Sequence, residues 1–199
     1  MGQIQPAVNQ GARFARMQAN PEPEALRLRS GVVVSLTEIA PVVDVWREQT
    51  CEAKPSAGVP PHVTLLFPFA PAADLDDELL KALAEVADAF EPFQLAFRRS
   101  GRFPGVLFLL PEPDAPLRTL TTALVARFPA WPPYEGAHGL NPDPHLTIAQ
   151  GDDALLGAVE AELEPLLPLV VEVGALTLLE ELEPGHARWR ERARFLLAV

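Results

Sequence analysis

Cysteine is almost absent: Cys51 stands alone in 199 residues, so neither an intrachain disulfide framework nor a cysteine-rich zinc site can be built. That fits a reducing compartment, and a cytoplasmic location is expected. No apolar run approaches the roughly 20 residues of a membrane-spanning helix, and the N-terminal stretch lacks the continuous apolar segment of a signal peptide. Lysine is nearly missing too, at Lys54 and Lys81 only. No glycine-rich phosphate loop follows any strand-like run, which removes support for an ATP- or NAD-binding chain. Positive charge is in deficit, with a formal net charge of −11. The whole-molecule field therefore repels polyanions, and a phosphate-bearing ligand would rely on a local basic patch.

What is present is a chain of 48% hydrophobic residues, enough for one sizeable core. Residues 1–28 show no lasting periodicity and are expected to form a loose extension. Residues 29–199 are expected to form a single bilobal domain. The run from Val32 to Leu36 predicts a strand. Pro41 then opens a helix through Cys51, and a Pro/Gly loop leads into a strand from His62 to Phe67. Asp74 is the expected cap of a helix with apolar residues Leu75, Leu79, Leu83 and Val86, and Phe93–Phe97 reads as a strand. The second half repeats the plan: a strand at Val106–Leu110, and a helix marked by Leu117, Leu120, Leu124 and Phe128. A proline-rich loop then delivers His145, and a helical face follows on Leu155, Val159 and Leu163. Strands at Val170–Leu178 and Ala187–Leu197 finish the chain. A duplicated unit implies a pseudo-twofold molecule, and the short mixed elements predict an α+β fold.

Each half carries Pro-His-x-Thr at the same point, Pro61-His62-Val63-Thr64 and Pro144-His145-Leu146-Thr147. Residues i and i+2 of a strand share a face, so each strand offers one imidazole and one hydroxyl side by side. Two imidazoles can act as general base and general acid, and threonine hydroxyls can donate to non-bridging phosphate oxygens. A shared metal site is not expected, because Asp143 is the only carboxylate within two residues of either histidine. His138 and His186 lack a threonine partner and are assigned to loop or surface.

Pro61-His62-Val63-Thr64-Leu65-Leu66-Phe67-Pro68-Phe69 and Pro144-His145-Leu146-Thr147-Ile148-Ala149 resemble the twin signatures of the two-histidine phosphoesterase superfamily, and within it the 2′-5′ RNA ligase-like branch. The likeness spans residues 31–197 and takes in Pro132-Pro133-Tyr134 and Arg188-Trp189. It implies two antiparallel-rich sheets flanking a central cleft, with helices outside. It also implies ATP-independent chemistry on 2′,3′-cyclic phosphates of nucleotides or RNA ends, without metal or cofactor. The family's catalytic histidines fall on His62 and His145, and its phosphate-binding threonines on Thr64 and Thr147. A cyclic phosphodiesterase is the first expectation. RNA 2′-5′ ligation at the same site, or binding without turnover, are the alternatives. A monomer is expected.

Further residues invite a substrate role. Arg102 and Phe103 are expected at the cleft mouth, and Phe103 and Tyr134 are candidates for stacking a base. Arg188, Arg190, Arg192 and Arg194 are expected on one face of the last strand, as a basic wall or as the charged rim of an edge strand.

Overall fold

The alternation of β-branched runs with amphipathic stretches resolves, in a computed structural model describing residues 27–183 and 188–198, into eight strands and four α-helices among those residues. In chain order these are β1 (Ser30–Ser35), α1 (Ala40–Thr50), β2 (His62–Leu66), α2 (Asp77–Ala87), β3 (Phe93–Phe103), β4 (Val106–Glu112), α3 (Ala115–Arg127), β5 (Leu146–Gln150), α4 (Asp153–Leu163), β6 (Leu169–Val173), β7 (Ala175–Glu181) and β8 (Trp189–Leu196). The strands form two four-stranded antiparallel sheets, ordered β2-β1-β7-β8 and β5-β4-β3-β6. This is the expected α+β architecture. His186 and nearly all of the 1–28 segment lie outside the described residues.

The lobes are not two contiguous halves. After β2 the chain crosses to build the whole second sheet, then returns through β7 and β8 to finish the first. The single strand expected at Val170–Leu178 is accordingly two strands in different sheets, broken at Gly174. A continuous apolar run can signal buried strand but cannot say to which sheet it belongs.

Each helix start has a local cause. Pro41 sits in the first turn of α1, where a missing N–H costs nothing. The cap of α2 is Asp76, whose carboxylate accepts from Leu79 N at 2.9 Å. Asp74 instead ends a short 3-10 turn, Ala72–Asp74. Asp152 caps α4 in the same way as Asp76 caps α2, through Leu155 N at 2.8 Å. That cap turns Leu155 outward (39% exposed), and Leu156, Val159 and Leu163 form the buried face instead.

One apolar core runs behind both sheets. Val63 and Leu65 of β2 and Leu146 and Ile148 of β5 point into it, joined by Leu79 and Leu83 of α2 and Leu117, Leu120 and Leu124 of α3. Each such leucine contributes on the order of 2 kcal/mol of hydrophobic stabilisation. The residues between them on β2 and β5 face the other way, and these include the histidines and threonines.

β2 and β5 are the inner edges of their sheets and touch one another. Each edge is capped from the opposite repeat. The end of α1 reaches β5, with Cys51 Sγ 3.6 Å from Ile148 O and Glu52 N donating to Gln150 Oε1 at 2.9 Å. The loop after α3 reaches β2, with Tyr134 N donating to Phe67 O at 2.6 Å. Among the described residues no helix is long and apolar enough to cross a membrane.

Candidate active site

The period of two along β2 puts Val63 in the core and leaves His62 and Thr64 half-buried on the cleft side. In β5, Leu146 and Ile148 are buried while Thr147 is half-buried, with His145 just before the strand. The sequence motifs therefore present their functional groups as expected. His62 lies opposite Ser35 and Thr64 opposite Val33 on β1; Thr147 lies opposite Phe108 on β4.

Both histidines make the same hydrogen bond. His62 Nδ1 lies 2.8 Å from Pro60 O, and His145 Nδ1 lies 2.9 Å from Asp143 O. A carbonyl only accepts, so the proton of each bond belongs to Nδ1. Each ring keeps Nε2 outside that bond. The carbonyl two residues back thus fixes the tautomer of both rings.

The electrostatics behind His62 are unusual. Burial, then the Arg47 cation and the nearby His145, push its imidazole down to about 4, against the opposing effect of the Pro60 hydrogen bond. Arg47 is only 2% exposed. Its guanidinium donates to Ala53 O, Val59 O and Pro60 O at 2.9, 3.1 and 3.1 Å, and to the Asp44 carboxylate. Behind His145, Arg118 bridges the carboxylates of Asp114 and Asp143, at 2.6 Å to each.

An aromatic wall stands beside His145. Phe103 lies edge-on to its ring at a centroid separation of 5.3 Å, and Phe108 lies 5.4 Å away. Glycine is required at position 101 because a Cβ there would fall 2.6 Å from the Phe108 ring. Tyr134 reaches across from the second repeat and brings its phenol beside the Thr64 hydroxyl. Burial pushes that phenol up, opposed by the neighbouring Thr64 hydroxyl. Tyr134 and Glu135 both take positive φ, 49° and 54°, a left-handed conformation costly for side-chain-bearing residues.

The other expected residues divide. Phe103 (42% exposed) is at the site. Arg102 is not: it sits one residue away on a strand, faces the opposite side and pairs with Glu160 of α4. Arg98 and Arg99 are paired with Glu112. The four C-terminal arginines do not share a face, because a register shift between Leu178 and Leu179 breaks the alternation of β8. Arg190 and Arg192 go to Glu180, Arg194 to Glu191 and Arg188 to Glu183. His138 is exposed and meets the Tyr134 ring edge-on at 5.5 Å. Among the described residues no three His, Cys, Asp or Glu side chains are grouped as a metal ion would need.

Two residues at the site were missed by sequence reasoning. Phe108 looked like one more apolar residue of a buried strand. Arg47 carried a weak signal, since it stands four residues after Val43 and so continues the buried face of α1.

No curated protein matches the chain. Escherichia coli LigT in complex with 3′-AMP matches with a TM-score of 0.55 at 21% identity, over 87% of this chain and 99% of that chain. TT0787 of Thermus thermophilus matches with a TM-score of 0.56 at 22% identity, over 85% and 97%. A structure described as a phosphoesterase matches with a TM-score of 0.52 at 21% identity, over 87% and 99%. These likenesses establish a shared fold. Residues 36–185 match the family model of the 2′-5′ RNA ligase superfamily, and with a match of that extent the chain belongs to that superfamily.

Proposed function

We propose that this chain is a phosphoesterase that opens 2′,3′-cyclic phosphates of nucleotides or RNA ends, with His62 and His145 as the acid–base pair. The observation that carries the proposal is the matched hydrogen bond at Nδ1 of both rings, which leaves two Nε2 atoms for the reaction. One imidazole enters neutral and takes a proton from water as the water oxygen bonds to phosphorus. The other enters protonated and gives its proton to O3′ as the P–O3′ bond breaks. The product is a 2′-phosphate, and the two rings have exchanged protonation states.

Thr64 and Thr147, each two residues beyond a histidine, then donate to the non-bridging oxygens, where charge builds in the transition state. Phe103 provides an exposed ring next to His145 against which a base can stack, and Tyr134 adds a phenol at Thr64. The nucleotide-bound state of LigT supports a nucleotide-sized ligand here. Arginines at 98, 99, 102, 190, 192 and 194 are each paired with a carboxylate, which favours a compact substrate over a long RNA track. Ligation through a 2′-5′ linkage would be the same chemistry run in reverse, and the superfamily's description keeps it as the second reading.

The test is an assay of nucleoside 2′,3′-cyclic phosphates in EDTA, with His62→Ala and His145→Ala as controls. Turnover to 2′-phosphates that both variants lose is the expected result. Full activity in both variants would falsify the proposal. Tight calorimetric binding with no turnover would convert it into a binding function, and joining of nicked RNA halves would favour the ligase reading.

A further inference from the structure

We propose that Arg47 is the positioning residue of His62: it fixes the Pro60 carbonyl that holds Nδ1–H, so that Nε2 is the nitrogen presented to the cleft. This deepens the proposed function and rests on it for the catalytic consequence, but its structural part stands alone.

The geometry is a relay through one oxygen. Pro60 O accepts from Arg47 Nη2 at 3.1 Å and from His62 Nδ1 at 2.8 Å. The same Nη2 also reaches Ala53 O and Val59 O, so one buried guanidinium gathers the whole loop that precedes β2. The planar fork of arginine suits this task, since Nη1 is held by Asp44 while Nη2 faces the three carbonyls, which share its two protons. Burying a cation this deeply is expensive unless it is fully hydrogen-bonded. Asp44 offsets the charge, and the three carbonyls accept from Nη2.

The second repeat solves the same problem differently. Arg118 of α3 also grips the residue two before the histidine, but through the Asp143 side chain rather than the carbonyl. Its charge is shared with Asp114 and Asp143. In the first repeat the cation sits directly on the oxygen bonded to the imidazole. The two histidines are thus equivalent in sequence and unequal in surroundings.

The charged and titratable groups that face His62 are, among the described residues, Arg47 with Asp44 from α1, His145 from the other lobe and, beyond Thr64, Tyr134. A cation one carbonyl away disfavours imidazolium, in the same direction as burial and His145. The low-pH limb of a kcat/KM profile then reports His62 whichever way its proton moves in the reaction.

Nitrogen NMR of histidine-labelled protein reads the proposal without substrate, and so separates its failure from failure of the proposed activity. The expected wild-type result is a neutral His62 ring with the proton on Nδ1; a proton on Nε2 overturns the proposal outright. In Arg47→Gln the His62 ring should populate both tautomers and its titration midpoint should rise by about half a pH unit. The low-pH limb of kcat/KM should move with it. A folded Arg47→Gln with unchanged tautomer and midpoint overturns the role. Should that variant not fold, Arg47→Lys keeps a cation there, but its shorter stem and single nitrogen cannot hold Asp44 and the Pro60 carbonyl together as Nη1 and Nη2 do. It should mix the tautomers while holding the midpoint low, and an unmixed Nδ1–H ring there counts equally against the proposal.

Discussion

Phe103 and Phe108 pack ring on ring, with centroids 4.3 Å apart, at the end of the β3–β4 hairpin, and both rings lean on His145. One is open to solvent and the other is buried, so Phe103 is free to meet a ligand while Phe108 supports it. Phe103→Ala should raise KM for nucleoside cyclic phosphates about tenfold with kcat nearly unchanged, since a lost stack is worth about 1–3 kcal/mol. Steady-state kinetics on purine and pyrimidine substrates check this, and an unchanged KM removes Phe103 from the binding surface.

Phe108→Ala should behave differently. It empties a buried site under Thr147 and His145 and should cost about 3 kcal/mol of stability, measured by urea unfolding. Gly101→Ala should reproduce part of that loss of stability without removing any ring atom, because its Cβ would displace Phe108.

Truncating either imidazole should lower kcat by about 10²–10⁴ with the fold intact. Thr64→Val and Thr147→Val should each cost roughly 10² in kcat. Circular dichroism distinguishes loss of chemistry from loss of structure. Wild-type rates in both threonine variants would discard the phosphate-donor role.

His62 couples folding to pH. Its imidazole is held near 4 in the folded chain and returns to the ordinary value of 6.5 on unfolding. Between those values the unfolded state binds more protons, so stability rises with pH through the window. The His62 contribution is complete above about 6.5 and fades as pH falls toward 4. Urea midpoints from pH 7 down to 4.5 should decline, and His62→Gln should flatten that decline. Identical slopes in the two proteins would show that His62 does not titrate as described.

The left-handed pair in the α3–β5 loop makes a separate prediction. Glu135 is exposed at φ 54°, so Glu135→Gly relieves strain and should stabilise the chain by about 0.5 to 1 kcal/mol. Tyr134→Phe keeps the ring and removes the hydroxyl from Thr64; it should lower kcat/KM several-fold with no change in thermal midpoint.

The histidine–threonine quartet was legible because two rules meet in it. The period of two aligns His62 with Thr64 and His145 with Thr147, and the duplication makes coincidence improbable. The same period, applied strictly, puts Arg102 and Phe103 on opposite faces of β3, so the two could not both reach the cleft. The face of α4 was off by one residue because Asp152 caps the helix and turns Leu155 outward. Arg47 was hidden by its type, since a lone arginine on a helix reads as surface charge unless its carbonyl partners are visible. Strand order lay furthest out of reach: pairing of β1 with β7 spans most of the chain, and nothing local to Gly174 announces a change of sheet.

That change of sheet has a consequence for how the protein is made. The sheet carrying His145 is assembled from one continuous stretch, Phe93 to Val173, and has all its strands while the C-terminus is still being synthesised. The sheet carrying His62 begins first and finishes last, since β1 and β2 wait for β7 and β8. A chain stopped after β6 would hold one complete half-site and one unpaired strand edge at β1, the kind of edge that recruits other chains. β7 is therefore the seal, since it covers that edge of β1, and β8 then forms the outer strand of the finished sheet.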